Sequence, residues 1–442
     1  MSDQARPPLA PGSQPVVGHT LPFLRDPLGA LQRAGQTEAG IARLRVANRQ
    51  ICLVTDPAAT REILATDADN YRKAELVRDR LGTLQGGSLV LLDGDEWRER
   101  RELLRPAFGG SQVRTAGSLT TRYAAEMVDR WSTRSPIDAT EQMQTLSLSI
   151  LARALFGLDL QGGETPIHEA ADDIMARLDP RSVSAYLPEW VPTPTNYRFR
   201  RAVSTLHDRI DSLVADSSTG DPDTDLLSVM LTAGLDPERV RDELIALLFA
   251  GYDSTATALA VTLGLLGDHP EIQSRLRSEL TNTLDGRTPT PDDLDDLRLL
   301  DAVVRESLRL YPPQYILFRE PTVDRTVAGY RIDRGTSVVL SPWVSQRDPR
   351  FWDAPGAFRP DRWLDSETAT ERNRPEFAYY PYGGGPRHCL GKLLADQTIR
   401  LVVAICCQRR QFRLQDALSV TAGATLSPGE IRLRTVRDQY DS

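Results

Sequence analysis

The chain has 442 residues, 40% hydrophobic and 26% charged, with a formal net charge of −8 at neutral pH. That balance belongs to a folded globular protein and excludes a disordered tail, and the acidic net charge argues against a dedicated nucleic-acid binder. Length alone would hold about three ordinary domains. Four cysteines, Cys52, Cys389, Cys406 and Cys407, are too few for a disulfide framework and point to a reducing compartment. Arginine supplies nearly all the basic charge; the only lysines are Lys73 and Lys392.

In chain order, a proline-rich leader (1–20) without an apolar signal region comes first. Residues 40–56 alternate between turn residues and read as a strand pair; 57–68 read as a helix opened by Pro57. Helical periodicity fills most of 95–160. Pro180, Pro188, Pro192 and Pro194 make 180–200 a loop between helices. Helices resume at about 200–215, 236–267, 270–284 and 296–310. Within the second of these, Leu244 to Gly267 is long enough to span a bilayer, but Asp253 lies near its middle, so it reads as the core helix of a soluble protein with no membrane anchor. Thr326–Ile332 and Thr336–Leu340 look like strands, 343–388 is rich in coil, a helix runs from about 391 to 408, and strands close the chain from Phe412. The expected fold class is mostly α with a small β portion.

The densest chemistry is Tyr380 to Gly391, YPYGGGPRHCLG. Three consecutive glycines allow a sharp turn, and Cys389 stands just before a helix whose free N–H groups lower a thiol's pKa, which suits a metal ligand or a nucleophile. Glu306 and Arg309 share a helical face at i,i+3, a spacing that also occurs by chance about twice at this composition. Trp97 and Arg101 share one at i,i+4. Ala250-Gly251-Tyr252-Asp253-Ser254-Thr255 sets an acid beside alcohols in the long apolar helix, an arrangement suited to proton relay or to a kinked helix with serine bonded to its own carbonyls.

Tyr382 to Gly391 resembles the haem-binding loop of the cytochrome P450 family, Phe-Gly-x-Gly-x-Arg-x-Cys-x-Gly, with tyrosine at 382 in place of the usual phenylalanine. The other motifs follow in that family's order across almost the whole chain, including Phe358-Arg-Pro-Asp-Arg362-Trp363. The resemblance implies one haem-thiolate domain over 1–442, with haem b between the long central helix and the helix after the cysteine loop. It makes Cys389 the iron ligand. Trp97, Arg101, Arg319 and Arg387 would serve the propionates, and Ala250, Gly251, Tyr382 and Gly391 the rest of the haem pocket. Asp253, Ser254 and Thr255 would deliver protons; Ser254 stands where threonine is usual. Glu306, Arg309 and Arg362 would form a structural charge triad.

The function implied is monooxygenation of a hydrophobic small molecule by dioxygen, in the cytoplasm and within secondary metabolism. A terpenoid is the first expectation, a polyketide or fatty acid the next. Leu89, Val90, Leu91, Phe249, Tyr315, Ile316 and Leu317 would line the pocket. With no flavin or ferredoxin domain visible after Cys389, electrons are expected from a ferredoxin and its reductase, docking on a basic patch of Arg98, Arg100, Arg105, Arg387, His388 and Lys392. Two other readings stay open: a haem-thiolate enzyme of different chemistry (peroxygenase, coupling or rearrangement), and a non-catalytic haem sensor.

Overall fold

The computed structural model describes residues 5–47, 49–132, 135–156, 166–179, 181–182, 184, 187–216, 226–364 and 373–436. Its axis is the central helix, Pro237–Asp268, roughly 48 Å long at 1.5 Å per residue. Asp236 caps it by accepting the Arg239 N–H at 3.0 Å, and Pro237 sits in the first turn, where its missing N–H has no partner to lose. From Leu244 to Gly267 apolar residues lie on all faces of this helix, and neighbours bury most of them. Among the described residues it alone is long and apolar enough to cross a membrane, and 67% of its apolar window is buried inside the protein.

Two apolar cores divide the central helix. The first half packs with helices Pro166–Leu178, Pro194–Asp216 and Leu226–Thr232 through Leu244, Leu248, Ile174, Phe199 and Met230. From Ala256 onward it packs with helices Gly110–Asp129, Ala139–Phe156, Arg298–Leu310 and Lys392–Arg409 through Leu259, Met127, Met143, Val303 and Ile405. Packing thins between the cores: Ala250 is exposed although it lies mid-helix, and Gly251, Asp253 and Ser254 are half-buried.

The strands among the described residues are β1 (Ile41–Val46), β2 (Arg49–Val54), β3 (Tyr71–Arg72), β4 (Ile137–Asp138), β5 (Leu317–Pro321), β6 (Arg325–Val327), β7 (Tyr330–Ile332), β8 (Ser337–Leu340), β9 (Gln411–Leu414), β10 (Val420–Ala422), β11 (Leu426–Pro428) and β12 (Arg432–Val436). A five-stranded sheet has the order β1-β2-β8-β5-β3, with β2 and β8 parallel and the other pairs antiparallel. In β1, Leu44 faces the core and Arg45 the solvent, the alternation expected of a half-buried strand. β4, β12 and β9 form a second sheet, and β6–β7 and β10–β11 are hairpins. The β6–β7 turn, Ala328-Gly329, has φ of 49° and 80°, positive at both central positions as a tight hairpin requires.

Two element boundaries differ from the sequence reading. The helix over 57–68 ends at Arg61; Glu62–Thr66 widens into a π-turn and Ala68–Asn70 tightens into 3₁₀. Pro194 opens a helix rather than extending the loop before it, because proline is at home in a first turn, and the Thr193 hydroxyl accepts the Asn196 N–H at 3.1 Å as a cap. Pro180 lies outside the described residues.

Candidate active site

The cysteine loop is built around close backbone approach. Gly385 has φ of +64°, and a Cβ there would fall 1.8 Å from the Leu64 carbonyl oxygen of the π-turn, so no side chain fits. Gly383, at φ +71°, turns the chain before it. The loop closes when the Cys389 N–H donates to the Tyr382 carbonyl at 2.9 Å, and the helix Lys392–Arg409 follows. Cys389 has exposed surface, yet it lies deep among protein atoms, so desolvation raises its thiol pKa. A Gly391 N–H bond and the charges of Arg101 and Lys392 oppose the rise. This corrects the sequence argument: burial outweighs the helix N-terminus here. A thiolate at this position therefore needs a cationic partner of its own.

Four cations converge beside the loop. Arg319, on β5, is buried and spends one N–H on the Phe318 carbonyl at 2.9 Å; burial and then Arg387 lower its pKa to about 10. Arg387 is pushed down to about 10 by burial and then by Arg78, Arg101 and Arg98. Burial, Arg319 and Arg387 drive Lys73 well below the usual lysine range. Desolvation also lowers Arg101, with Cys389 opposing and Arg105 reinforcing. Asp93 accepts from Arg387 at 2.6 Å and also pairs with Arg78. Trp97 lies beneath two guanidinium groups, Arg387 at 4.3 Å and Arg101 at 5.7 Å from its ring centroid. Arg387 depresses Arg319 and Lys73, and Arg101 depresses Arg387, so the cluster carries surplus positive charge and calls for an anion.

On the central helix, the Ser254 hydroxyl donates back to the Ala250 carbonyl at 2.5 Å, and the Asp253 carboxylate accepts from the Thr425 hydroxyl. Thr255 is buried. The space left by Gly251 is taken by Leu151, whose Cδ2 lies 2.9 Å from a Cβ built there; this glycine lets helix Ala139–Phe156 come close rather than making room for a flat ligand. Tyr382 keeps its hydroxyl buried with no hydrogen-bond partner, and burial, Asp396, Tyr379 and Cys389 push its pKa far up.

Glu306, Arg309 and Arg362 meet in one buried network. Arg309 donates to both Glu306 oxygens at 2.9 and 2.8 Å, Arg362 donates at 3.0 Å, and the Arg359 N–H and Trp363 indole complete the shell. The spare guanidinium N–H groups end on the carbonyls of Gln346, Pro355, Ala357 and Asp353. Burial raises the Glu306 pKa, but the Arg309 hydrogen bonds and the charges of Arg309 and Arg362 outweigh it, and the carboxyl ends below its usual range.

The seven pocket candidates do not form one group. Leu89 and Phe249 pack in the first core; Phe249 also lines a small apolar recess with Leu148, Ala171, Leu248 and Tyr252. Leu91 is buried and Val90 half-buried. Tyr315 and Ile316 belong to the apolar layer over the five-stranded sheet, and Leu317 to its other side. The basic patch needs a correction: Arg100 points inward and pairs with Glu243 at 2.8 Å, both buried. Arg98 is engaged with Asp69 and Asp95, while Arg105, His388 and Lys392 remain exposed. Lys73 and Asp93 were not anticipated; the one available signal was a lysine in a chain that otherwise uses arginine.

The profile of the cytochrome P450 family matches residues 7–422. The chain is 28% identical over 436 residues to pentalenene oxygenase of Streptomyces avermitilis, covering 96% of each chain. It is 30% identical over 417 residues to cyclooctat-9-en-7-ol 5-monooxygenase of Streptomyces melanosporofaciens, covering 91% of this chain and 89% of that one. The crystal structure of cytochrome P450DA heme domain superposes with a TM-score of 0.87 at 23% identity, covering 99% and 98% of the two chains, which is a likeness of fold.

Proposed function

The chain belongs to the cytochrome P450 family and is an oxidoreductase of its monooxygenase class; on that premise we propose that it oxidises a terpenoid, with electrons from a separate ferredoxin and ferredoxin reductase. The observation that carries the reading is a cluster of Lys73, Arg319 and Arg387 joined through Arg101 to the Cys389 loop. A soft thiolate suits an iron, and surplus buried cations suit a pair of carboxylates, which together describe haem b. Relatives of comparable length act on pentalenene and cyclooctat-9-en-7-ol, both terpenoids, and this supports the substrate class. The single family profile over 7–422 supports one domain, and the buried central helix supports a cytoplasmic protein.

Cys389 would ligate the iron; Lys73, Arg101, Arg319 and Arg387 would neutralise the propionates; Ala250 would face the ring. Haem, when bound, supplies the activation of dioxygen. The protein's own work is to exclude water, orient the substrate and move protons. Asp253 would pass protons through its carboxylate, and Ser254 and Thr255 follow it in the chain with hydroxyls, that of Ser254 resting on the Ala250 carbonyl. Leu89, Phe249 and the residues around the apolar recess present no charge, which favours a hydrocarbon skeleton over a charged substrate.

The test is the absorption spectrum of the reduced, CO-bound holoprotein. A red-shifted Soret band that is lost in C389S is expected; a band without that shift in the native protein overturns the ligation. Titration with pentalenene and other small cyclic terpenes is expected to displace the haem water. Displacement by fatty acids but by no terpene overturns the substrate class.

A further inference from the structure

The β10–β11 hairpin reaches from the C-terminal part of the chain onto the segment of the central helix where the two cores part. Its strands pair Val420 with Pro428 and Ala422 with Leu426, leaving Gly423, Ala424 and Thr425 as the tip. The Gly423 N–H donates to the Thr425 carbonyl at 2.8 Å and closes the turn. Three further bonds fix the tip from outside. Tyr315 donates its hydroxyl to the Gly423 carbonyl at 2.9 Å, the Leu426 N–H donates to the Pro313 carbonyl at 2.9 Å, and the Thr257 hydroxyl donates to the Leu426 carbonyl at 3.1 Å. Ala424 packs against the first apolar core, the one that holds Leu89 and Phe249.

Asp253 and Thr257 are four residues apart and so share a helical face. They engage consecutive hairpin residues: Thr257 meets the Leu426 carbonyl, and Asp253 accepts the Thr425 hydroxyl. One face of the helix therefore carries both the anchor of the hairpin and the acid of the acid–alcohol pair. Tyr315, taken above as a pocket candidate, is spent on holding this tip.

We propose that Thr425 is a positioning residue that sets the direction of the Asp253 carboxylate, so that the β10–β11 tip controls proton delivery from the central helix. The Thr425 hydroxyl, which also lies 3.3 Å from the Leu426 carbonyl, favours one carboxylate rotamer; without it that rotamer is populated less and the acid meets the neighbouring alcohols less often. Because the tip also borders the apolar core around Phe249, a hydrophobic ligand that displaces it moves the partner of the acid as well. The inference rests on the proposed role of Asp253 in proton transfer.

Dioxygen itself serves as the probe, so no substrate need be known. Two protons and two electrons turn dioxygen into hydrogen peroxide; four of each turn it into two waters, and the second course needs sustained proton delivery. The measured quantity is the water-forming share of dioxygen consumption by the holoenzyme, driven by a [2Fe–2S] ferredoxin and its reductase. That share is expected to fall about fivefold in T425V, to recover in T425S, and to fall no further when T425V is added to D253N. Crystal structures are expected to show Asp253 in a second rotamer in T425V and in the native one in T425S. An unchanged share in D253N overturns the role of Asp253. A lowered share in D253N with a native share and a native rotamer in T425V overturns the role of Thr425. Equal losses in T425V and T425S also overturn it, since a hydroxyl would then not suffice.

Discussion

Two buried charge clusters of similar composition behave in opposite ways. Around Glu306, two arginines meet one carboxylate; every Arg309 N–H ends on an oxygen, either the carboxylate or a carbonyl of the coil between Gln346 and Ala357, and Arg362 bonds the carboxylate and the Asp353 carbonyl. Around Arg387, the cations face one another, and the carboxylate bonded to Arg387, Asp93, is shared with Arg78. The first cluster is electrically closed and holds the coil-rich stretch in place. The second is open, with Arg387 lowering the pKa of both Arg319 and Lys73. A satisfied cluster is scaffolding; an unsatisfied one that the fold nevertheless tolerates is a receptor for charge of the other sign.

The largest way to break this contrast is to open the closed cluster. E306A strands two buried guanidinium groups and is expected to destabilise the protein by about 3–5 kcal/mol, read as a lowered urea midpoint. Its pH signature has a definite sign. The folded carboxyl titrates below its ordinary 4.5, so its contribution is present above that value and is lost as pH falls through the folded pKa. The acid limb of a stability profile should therefore be shallower in E306Q.

The open cluster is expected to answer in reverse. R319L removes a buried charge that lacks a carboxylate partner; the haem-free protein should keep or gain stability, while haem is lost about tenfold faster from the holoprotein, roughly 1.4 kcal/mol. R362L, by contrast, should destabilise both forms. Lys73 sharpens the point. Its folded pKa lies below the ordinary 10.5, so its charge is a penalty at low pH that is relieved as pH rises through the folded value. The haem-free native protein should thus gain stability relative to K73M as pH rises toward 10.5, and bound haem should erase the difference.

Smaller effects test the margins. Y382F removes a buried hydroxyl without a partner and should raise stability by about 1 kcal/mol, read as a higher Tm. R105E, on the exposed rim, should slow reduction by the ferredoxin about threefold, with the effect fading at high salt. R100E instead buries a second carboxylate beside Glu243 and should fail to fold stably.

Local rules made much of this protein legible from its residues. All-round apolar character marked the central helix as core, alternation marked β1 and β2, and glycine spacing with the cysteine marked the loop. Glu306 and Arg309 could be picked out only because the motifs around them appear in order; spacing alone matches several other pairs. What escaped was pairing across long separations. Arg100 reads like any arginine on a charged helix until Glu243, from another element, takes it inward. Lys73 and Asp93 gain their meaning only where β5, the cysteine loop and the Trp97 helix converge. Tyr315 looks like a pocket wall until its hydroxyl finds Gly423.

The sequence by itself determined the family, the mostly helical fold and the identity of the thiolate loop, because periodicity, capping and turn chemistry act over a few residues. Only the tertiary structure decided which buried charges are neutralised, that desolvation outweighs the helix N-terminus at Cys389, and which hydroxyl meets Asp253. Those outcomes depend on desolvation and on partners brought together from distant parts of the chain, and neither is encoded at any single position.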